Sequence, residues 1–108
     1  MGIISTIHRN DPQAKLLRQH FVFLLIPMLN PDGVYHGFYR LDIHGQNLNR
    51  YYRMPEFDKQ PAAYAVRRVI QHLHADNRLF FYCDFHAHAG KKGCFLYGNA
   101  LNFSMQVE

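Results

Sequence analysis

The spacing of apolar residues predicts two helices in this chain. The first begins with Asp11 and Pro12 and continues through good helix formers to His20. Asp is a favoured N-cap residue, and Pro fits the first helical turn. The second extends from Pro61 to about Asp76, where apolar residues recur at the i, i+3, i+4, i+7 spacing of one helical face. The residues on that face are Val66, Val69, Ile70 and Leu73.

Three apolar runs predict strands buried in a sheet. They occupy residues 21–26, residues 79–85 and the shorter segment 94–97. The first run contains no polar residue, as expected of a strand that is covered on both faces. A strand, a helical crossover and a second strand form a βαβ unit, in which the strands run parallel. The predicted fold class is therefore α/β, with a partial mixed or parallel sheet and flanking helices.

Residues 29–60, between the first predicted strand and the second helix, have the character of a long loop. Asn30-Pro31-Asp32-Gly33 is a turn motif. Loops of this length in compact domains are usually functional or disordered, and the tyrosines and aliphatic residues of this one indicate that it is ordered. We therefore expect this loop to carry functional residues.

Composition and charge narrow the class of protein. The chain has 108 residues, 48% hydrophobic and 15% aromatic, which suits one domain over residues 1–108 and does not suit a disordered tail. Its two cysteines make no disulfide framework and indicate a reducing, cytoplasmic location. No apolar run approaches the roughly 20 residues that cross a bilayer, so no membrane association is expected. The net charge of +4 predicts an anionic partner.

The sharpest chemical motif is Asp84-Phe85-His86-Ala87-His88. Residues two apart on a strand face the same way, so His86 and His88 could bind one metal ion while Asp84 orients an imidazole. Zinc is the leading candidate, and because its catalytic sites take three protein ligands, this motif supplies part of a site. The alternative is that both histidines satisfy their hydrogen bonds within a loop. Spacing alone leaves the two interpretations open.

A second motif, Asn47-Leu48-Asn49-Arg50-Tyr51-Tyr52, lies near Arg40 and Arg53 in the sequence. Arg binds a carboxylate through two parallel hydrogen bonds, and a neighbouring Asn adds an amide donor. The motif therefore predicts a carboxylate-recognition loop, with solvated surface arginines as the alternative. The sequence contains no GxGxxG, P-loop, HExxH, GxSxG or nucleic-acid-binding motif. Neither nucleotide nor nucleic-acid binding is expected.

Taken together, five blocks of sequence resemble the cytosolic carboxypeptidases, which are zinc metallocarboxypeptidases that remove glutamate from tubulin. The blocks are residues 25–34, 39–40, 48–50, 84–88 and 95–99, and they span nearly the whole chain. Pro27-Met28-Leu29 and Lys92-Gly93-Cys94-Phe95 look most like the branch of cytosolic carboxypeptidase-like protein 5. The resemblance implies a zinc ion, polyglutamylated or other glutamate-rich protein tails as substrates, and a cytoplasmic, microtubule-associated location.

The resemblance also implies roles for single residues. His86 matches the third zinc ligand of the family, and Asn49 and Arg50 match the pair that binds the terminal carboxylate of the substrate. Arg40 matches the arginine that polarises the scissile carbonyl. His88 matches a position that has no established ligand role.

The chain also departs from the family pattern. Asn47 stands where many members have an Asp that orients a zinc histidine, and a neutral amide orients it less strongly. The His-x-x-Glu block that carries the first two zinc ligands is not found. The sequence ends at Glu108 before the block with the general base, and Glu108 does not replace that base. The resemblance therefore implies an internal segment of a catalytic domain that is inactive by itself.

Two alternatives from other classes use the same residues. In the first, the chain is a non-catalytic fragment or regulatory module that binds acidic peptide tails through its positive loop. In the second, His86-Ala87-His88 is the HxH motif of an amidohydrolase barrel. The repeated βα units and further ligands of such a barrel do not fit in 108 residues, so the second alternative is set aside.

Overall fold

Helices provide the regular secondary structure of the computed structural model, which describes residues 2–99. The elements in chain order are α1 (Ile3–Ile7), α2 (Pro12–His20), α3 (Pro31–Tyr35), a 3-10 turn (Leu48–Arg50) and α4 (Pro61–Ala75). Met1 and residues 100–108, including Glu108, lie outside the described residues. None of the described helices is both long enough and apolar enough to span a membrane.

Both helices predicted from the sequence are confirmed. The Asp11 carboxylate accepts a 2.8 Å hydrogen bond from the Ala14 N–H, and Pro12 occupies the first turn, so α2 begins where its cap predicts. The second predicted helix is α4, which ends at Ala75 and is followed by Asn77 with a positive φ of 53°. These two helices were predictable because each combines a start or stop residue with a run of good helix formers.

The spacing of apolar residues did not predict α1 or α3, because a helix of five residues is too short to show a helical period. The side-chain oxygen of Asn30 caps α3 by accepting a 3.1 Å hydrogen bond from the Gly33 N–H. A side chain at position 33 would overlap the Asn30 amide and the Leu41 carbonyl oxygen, so glycine is required there. The turn motif of residues 30–33 therefore begins a short helix within the predicted loop.

The predicted α/β fold class, with its partial mixed or parallel sheet, is wrong for the described part of the chain. Residues 2–99 contain no strand. No backbone hydrogen bond joins segments 21–26, 79–85 and 94–97 to one another. The rings of Phe21 and Phe80 approach to a centroid distance of 4.9 Å, so the first two segments touch without pairing.

The physical reason is that an apolar run reports a tendency towards burial, whereas a strand also needs a neighbour whose N–H and C=O groups complete a ladder. The side chains of these segments are open to solvent. Val22 is 92% exposed, Phe80 81% and Leu96 93%. The continuous apolarity that predicted strands does not specify whether a pairing partner is present.

The buried core is correspondingly small. The buried apolar side chains of residues 2–99 are Ile7, Ala14, Pro55, Ala63 and Val66. The accessible surface of the chain is 10022 Å², whereas a compact monomer of 12.7 kDa exposes about 6,200 Å². The assignment of residues 1–108 to part of one catalytic domain stays a prediction.

Polar contacts hold the loop before the 3-10 turn against the start of α4. The amide of buried Gln60 donates a 2.5 Å hydrogen bond to the side-chain oxygen of Gln46 and accepts a 3.0 Å bond from the Glu56 N–H. The buried Asp42 carboxylate in turn accepts a 2.8 Å bond from the Gln46 N–H. Buried polar groups with satisfied hydrogen bonds fix local geometry. These contacts therefore anchor the segment that leads into Asn49 and Arg50.

Candidate active site

The His86 side chain is held by a carboxylate. Its Nε2 lies 2.8 Å from Asp84 Oδ2, and the two side chains are 53% and 30% exposed. When Nε2–H donates to Asp84, Nδ1 keeps its lone pair and is the ring nitrogen available to a cation. A carboxylate behind a metal-binding histidine fixes the orientation of the ring and raises its basicity. The geometry of this pair fits one ligand of a metal site.

The second histidine of the motif makes different contacts. Nδ1 of His88 accepts a 3.1 Å hydrogen bond from the Gly90 N–H. Its ring also packs edge-on against Phe95 at a centroid distance of 5.5 Å. With Nδ1 engaged in the turn, His88 makes the loop-type hydrogen bond of the alternative interpretation, and it does not share the arrangement of His86 and Asp84.

A lysine in the turn after His86 is also held in place. The Lys91 ammonium lies 4.6 Å from the Phe95 ring centroid and 4.5 Å from that of Tyr97. It also donates a 2.7 Å hydrogen bond to the Tyr97 hydroxyl. Cation–π contacts and this hydrogen bond restrain the turn after His86. The signal in the sequence was the pair of aromatic residues that follows Lys91.

Asn49 and Arg50 lie on the 3-10 turn, which Asn47 caps. The side-chain oxygen of Asn47 accepts a 3.3 Å hydrogen bond from the Asn49 N–H, and its carbonyl accepts a 2.9 Å bond from the Arg50 N–H. The Arg50 guanidinium is exposed and forms no ion pair within residues 2–99. Its donors are therefore open to a carboxylate from outside the chain.

Arg40 lies on the rim of a hollow of about 620 Å³. Its guanidinium stacks 4.7 Å from the Tyr39 ring centroid and donates a 3.2 Å hydrogen bond to the Tyr39 hydroxyl. The other lining residues are Phe38, Leu41, Asp42, Ile43 and Gly45. Stacking on a tyrosine orients the guanidinium while leaving most of its N–H groups free.

The phenol of Tyr52 is perturbed by its surroundings. Burial, followed by the charge of Asp84 and a hydrogen bond to Tyr82, raises the pKa of Tyr52 to about 12. Burial and the same carboxylate also raise the pKa of Tyr82. The charge of Asp84 therefore acts on Tyr52, which lies two residues after Arg50. Within the described residues, no hydrogen bond, ion pair or ring contact joins Arg40 to the Asn49–Arg50 turn or to the Asp84–His86 pair.

Residues 2–99 provide one side chain that suits a zinc ligand, and they do not form a complete zinc site. Between residues 2 and 99, no three His, Cys, Asp or Glu side chains converge as metal ligands. Cys83 and Cys94 are exposed free thiols. His86, backed by Asp84, is the side chain whose chemistry and partner suit a zinc ion.

Comparisons with known proteins identify the family. The zinc carboxypeptidase family, peptidase M14, matches residues 2–100. Cytosolic carboxypeptidase 4 of Mus musculus is 44% identical over 98 residues, covering 90% of this chain and 9% of that protein. Cytosolic carboxypeptidase 2 of Mus musculus is 44% identical over 97 residues, covering 90% and 11%, and cytosolic carboxypeptidase 1 of Homo sapiens is 41% identical over 98 residues, covering 90% and 8%.

The chain thus spans about a tenth of the length of these relatives. The relatives carry the numbers 1, 2 and 4, so the predicted likeness to the branch of cytosolic carboxypeptidase-like protein 5 stays a prediction. The likeness to the family is confirmed, because the match extends from residue 2 to residue 100. On the strength of this match and of identities above 40%, the chain belongs to the zinc carboxypeptidase family.

Proposed function

We propose that this chain supplies part of the active site of a cytoplasmic metallocarboxypeptidase that removes glutamate from acidic protein tails, such as polyglutamylated tubulin. The observation that carries the proposal is the 2.8 Å contact between His86 and Asp84. The relatives' names support a cytosolic carboxypeptidase. The net charge of +4 supports an acidic substrate.

His86 would hold the metal through Nδ1, while Asp84 accepts the Nε2 proton and fixes the plane of the ring. A zinc ion bound in such a site polarises the scissile carbonyl and lowers the pKa of its bound water. No general base is assigned within residues 2–99.

Asn49 and Arg50 would bind the terminal carboxylate of the substrate. A guanidinium fork and an amide on one short turn hold a carboxylate in a fixed orientation. Such a contact selects chains with a free C-terminus, because an amidated end has no charge for the guanidinium. Arg40, oriented by the Tyr39 ring, would stabilise the negative charge that develops on the carbonyl oxygen.

The chain by itself would bind acidic tails without cleaving them. A single fitting metal ligand within the described residues supports this form of the proposal. In the non-catalytic alternative, the same residues bind the acidic tail. The two hypotheses therefore predict the same binding and differ in whether the complete protein releases glutamate. Release of glutamate by the isolated chain would contradict the inactive-segment part of the proposal.

The recognition part is testable by peptide binding. Fluorescence anisotropy would compare a labelled hexaglutamate peptide with a free C-terminus and the same peptide with an amidated C-terminus. We expect the free acid to bind about tenfold more tightly, and Arg50→Gln to abolish that preference. Arg53→Gln, which removes the same charge three residues away, is the control and should keep it. Equal affinities for the two peptides on the unmodified chain would refute the assignment of Arg50.

A further inference from the structure

One polar face of α4 forms a groove. Tyr64, Arg67, Arg68 and Gln71 line a shallow hollow of about 240 Å³. They stand at the i, i+3, i+4, i+7 positions of the helix, so they share one face. Ala63 and Val66 are buried on another side of the helix. The residues that line the groove are therefore not the residues that are buried where α4 packs.

The groove offers hydrogen-bond donors and positive charge. Helix α4 contains no acidic residue from Pro61 to Ala75. The ion pairs formed within residues 2–99 involve neither Arg67 nor Arg68. A guanidinium has five N–H donors and no acceptor, and carboxylates and phosphates match its planar fork. The Tyr64 ring packs edge-on against Phe57 at 5.5 Å, which steadies one wall of the groove.

The size of the groove fits a short extended peptide. Tyr64 and Gln71 are seven helical steps apart, or about 10 Å along the axis, since each step adds about 1.5 Å. An extended peptide advances about 3.3 Å per residue, so about three residues lie along the groove, and alternate side chains face the same way. Two carboxylates of a glutamate-rich segment could therefore meet the two guanidinium groups.

We propose that the α4 groove, formed by Tyr64, Arg67, Arg68 and Gln71, binds the side chains of a glutamate-rich peptide segment. This contact is separate from the one that Asn49 and Arg50 make with the terminal carboxylate. The proposal rests on the proposed function, which identifies the tail as glutamate-rich. The 2.5 Å hydrogen bond between Gln46 and Gln60 joins the start of α4 to the segment before Asn49. This hydrogen bond therefore links the two segments of the chain that carry the two contacts.

The test is the binding of labelled hexaglutamate peptides to the 108-residue chain, measured by fluorescence anisotropy at several salt concentrations. The double variant Arg67→Gln/Arg68→Gln removes two charges from the groove, and glutamine keeps the helix propensity. The control Lys15→Gln/Arg78→Gln removes two charges from exposed positions outside the groove. We expect the groove variant to lose about tenfold in affinity and to show a weaker salt dependence, while the control changes less than about twofold.

The C-terminal amide separates the groove from the Arg50 contact. The groove variant should weaken the free acid and the amidated peptide alike, because the groove binds side chains. Arg50→Gln should weaken the free acid alone. If amidation and Arg50→Gln have no effect while the groove variant still loses affinity, the groove stands and the proposed function fails. If the groove variant equals its control, or an oligonucleotide of the same charge binds more tightly than hexaglutamate, the groove proposal is overturned.

Discussion

The contact between Asp84 and His86 makes the sharpest prediction at the level of single atoms. Asp84→Asn keeps the shape of the side chain and removes the charge that lies 2.8 Å from His86 Nε2. Loss of a carboxylate behind a metal-binding histidine typically costs about 10- to 100-fold in metal affinity, or about 1.4–2.7 kcal/mol. Because the pair is partly exposed, with His86 at 53%, we expect a loss near the lower end of that range.

The assay is a zinc titration followed by NMR of the histidine rings, which reports each imidazole separately. The zinc-induced shift of His86 should move to about tenfold higher metal concentration in Asp84→Asn. The matched control is Asp76→Asn, because Asp76 makes the similar but longer contact of 3.6 Å to His72 on α4. That variant should leave the His86 titration unchanged. If Asp84→Asn and Asp76→Asn titrate alike at His86, Asp84 does not support a metal ligand and the reasoning is wrong.

Three further predictions concern the scaffold. Asp11→Ala removes the cap of α2 and should destabilise the helix by about 1 kcal/mol, measured by urea denaturation followed by circular dichroism. The control is Gln13→Ala, a substitution in the same helix that leaves the cap in place. Gly33→Ala places a methyl group against the Leu41 carbonyl and should cost about 1–3 kcal/mol in the same assay, whereas Gly2→Ala meets no neighbouring atom and should cost much less. Because folding raises the pKa of Tyr52 to about 12, the stability from its neutral phenol is complete below about pH 10 and is lost as the pH rises towards 12. The last tyrosine step of a 295 nm absorbance titration should disappear in Tyr52→Phe.

The sequence predicted the helices well where local signals act within a few residues. Asp11 and Pro12 specify the start of α2, and the apolar face from Val66 to Leu73 specifies α4, because capping and periodicity are local properties of the chain. Asn30 and Gly33 were recognised as a turn motif, but the helix that they cap is too short to show a period.

The lack of a sheet in residues 2–99 was not predictable in this way. Segments 21–26 and 79–85 have the apolar composition of buried strands, but pairing depends on distant backbone that composition does not encode. The ring contact between Phe21 and Phe80 shows that proximity alone does not complete a ladder. A continuous apolar run thus indicates that a segment tends to be buried, and does not indicate which segment lies beside it.

The contacts of the candidate site were likewise predictable only where the residues lie close together in the sequence. Asp84 and His86 lie two residues apart, so their contact could be anticipated from the motif. The approach of Tyr52 to Asp84 joins residues far apart in sequence and needed the structure to appear. The same holds for the contacts of Lys91 with two aromatic rings, which hold this lysine in the turn after His86.

The central claim is that Arg50 and His86 take part in glutamate removal, and a segment exchange tests it most directly. The matched region of mouse cytosolic carboxypeptidase 4 would be replaced by this chain, and glutamate released from a polyglutamate-tailed peptide would be measured by mass spectrometry. We predict an active chimera that loses at least about thirtyfold in turnover efficiency with Arg50→Gln or His86→Gln and keeps its activity with Arg53→Gln. An active chimera whose glutamate release survives Arg50→Gln and His86→Gln would contradict the account.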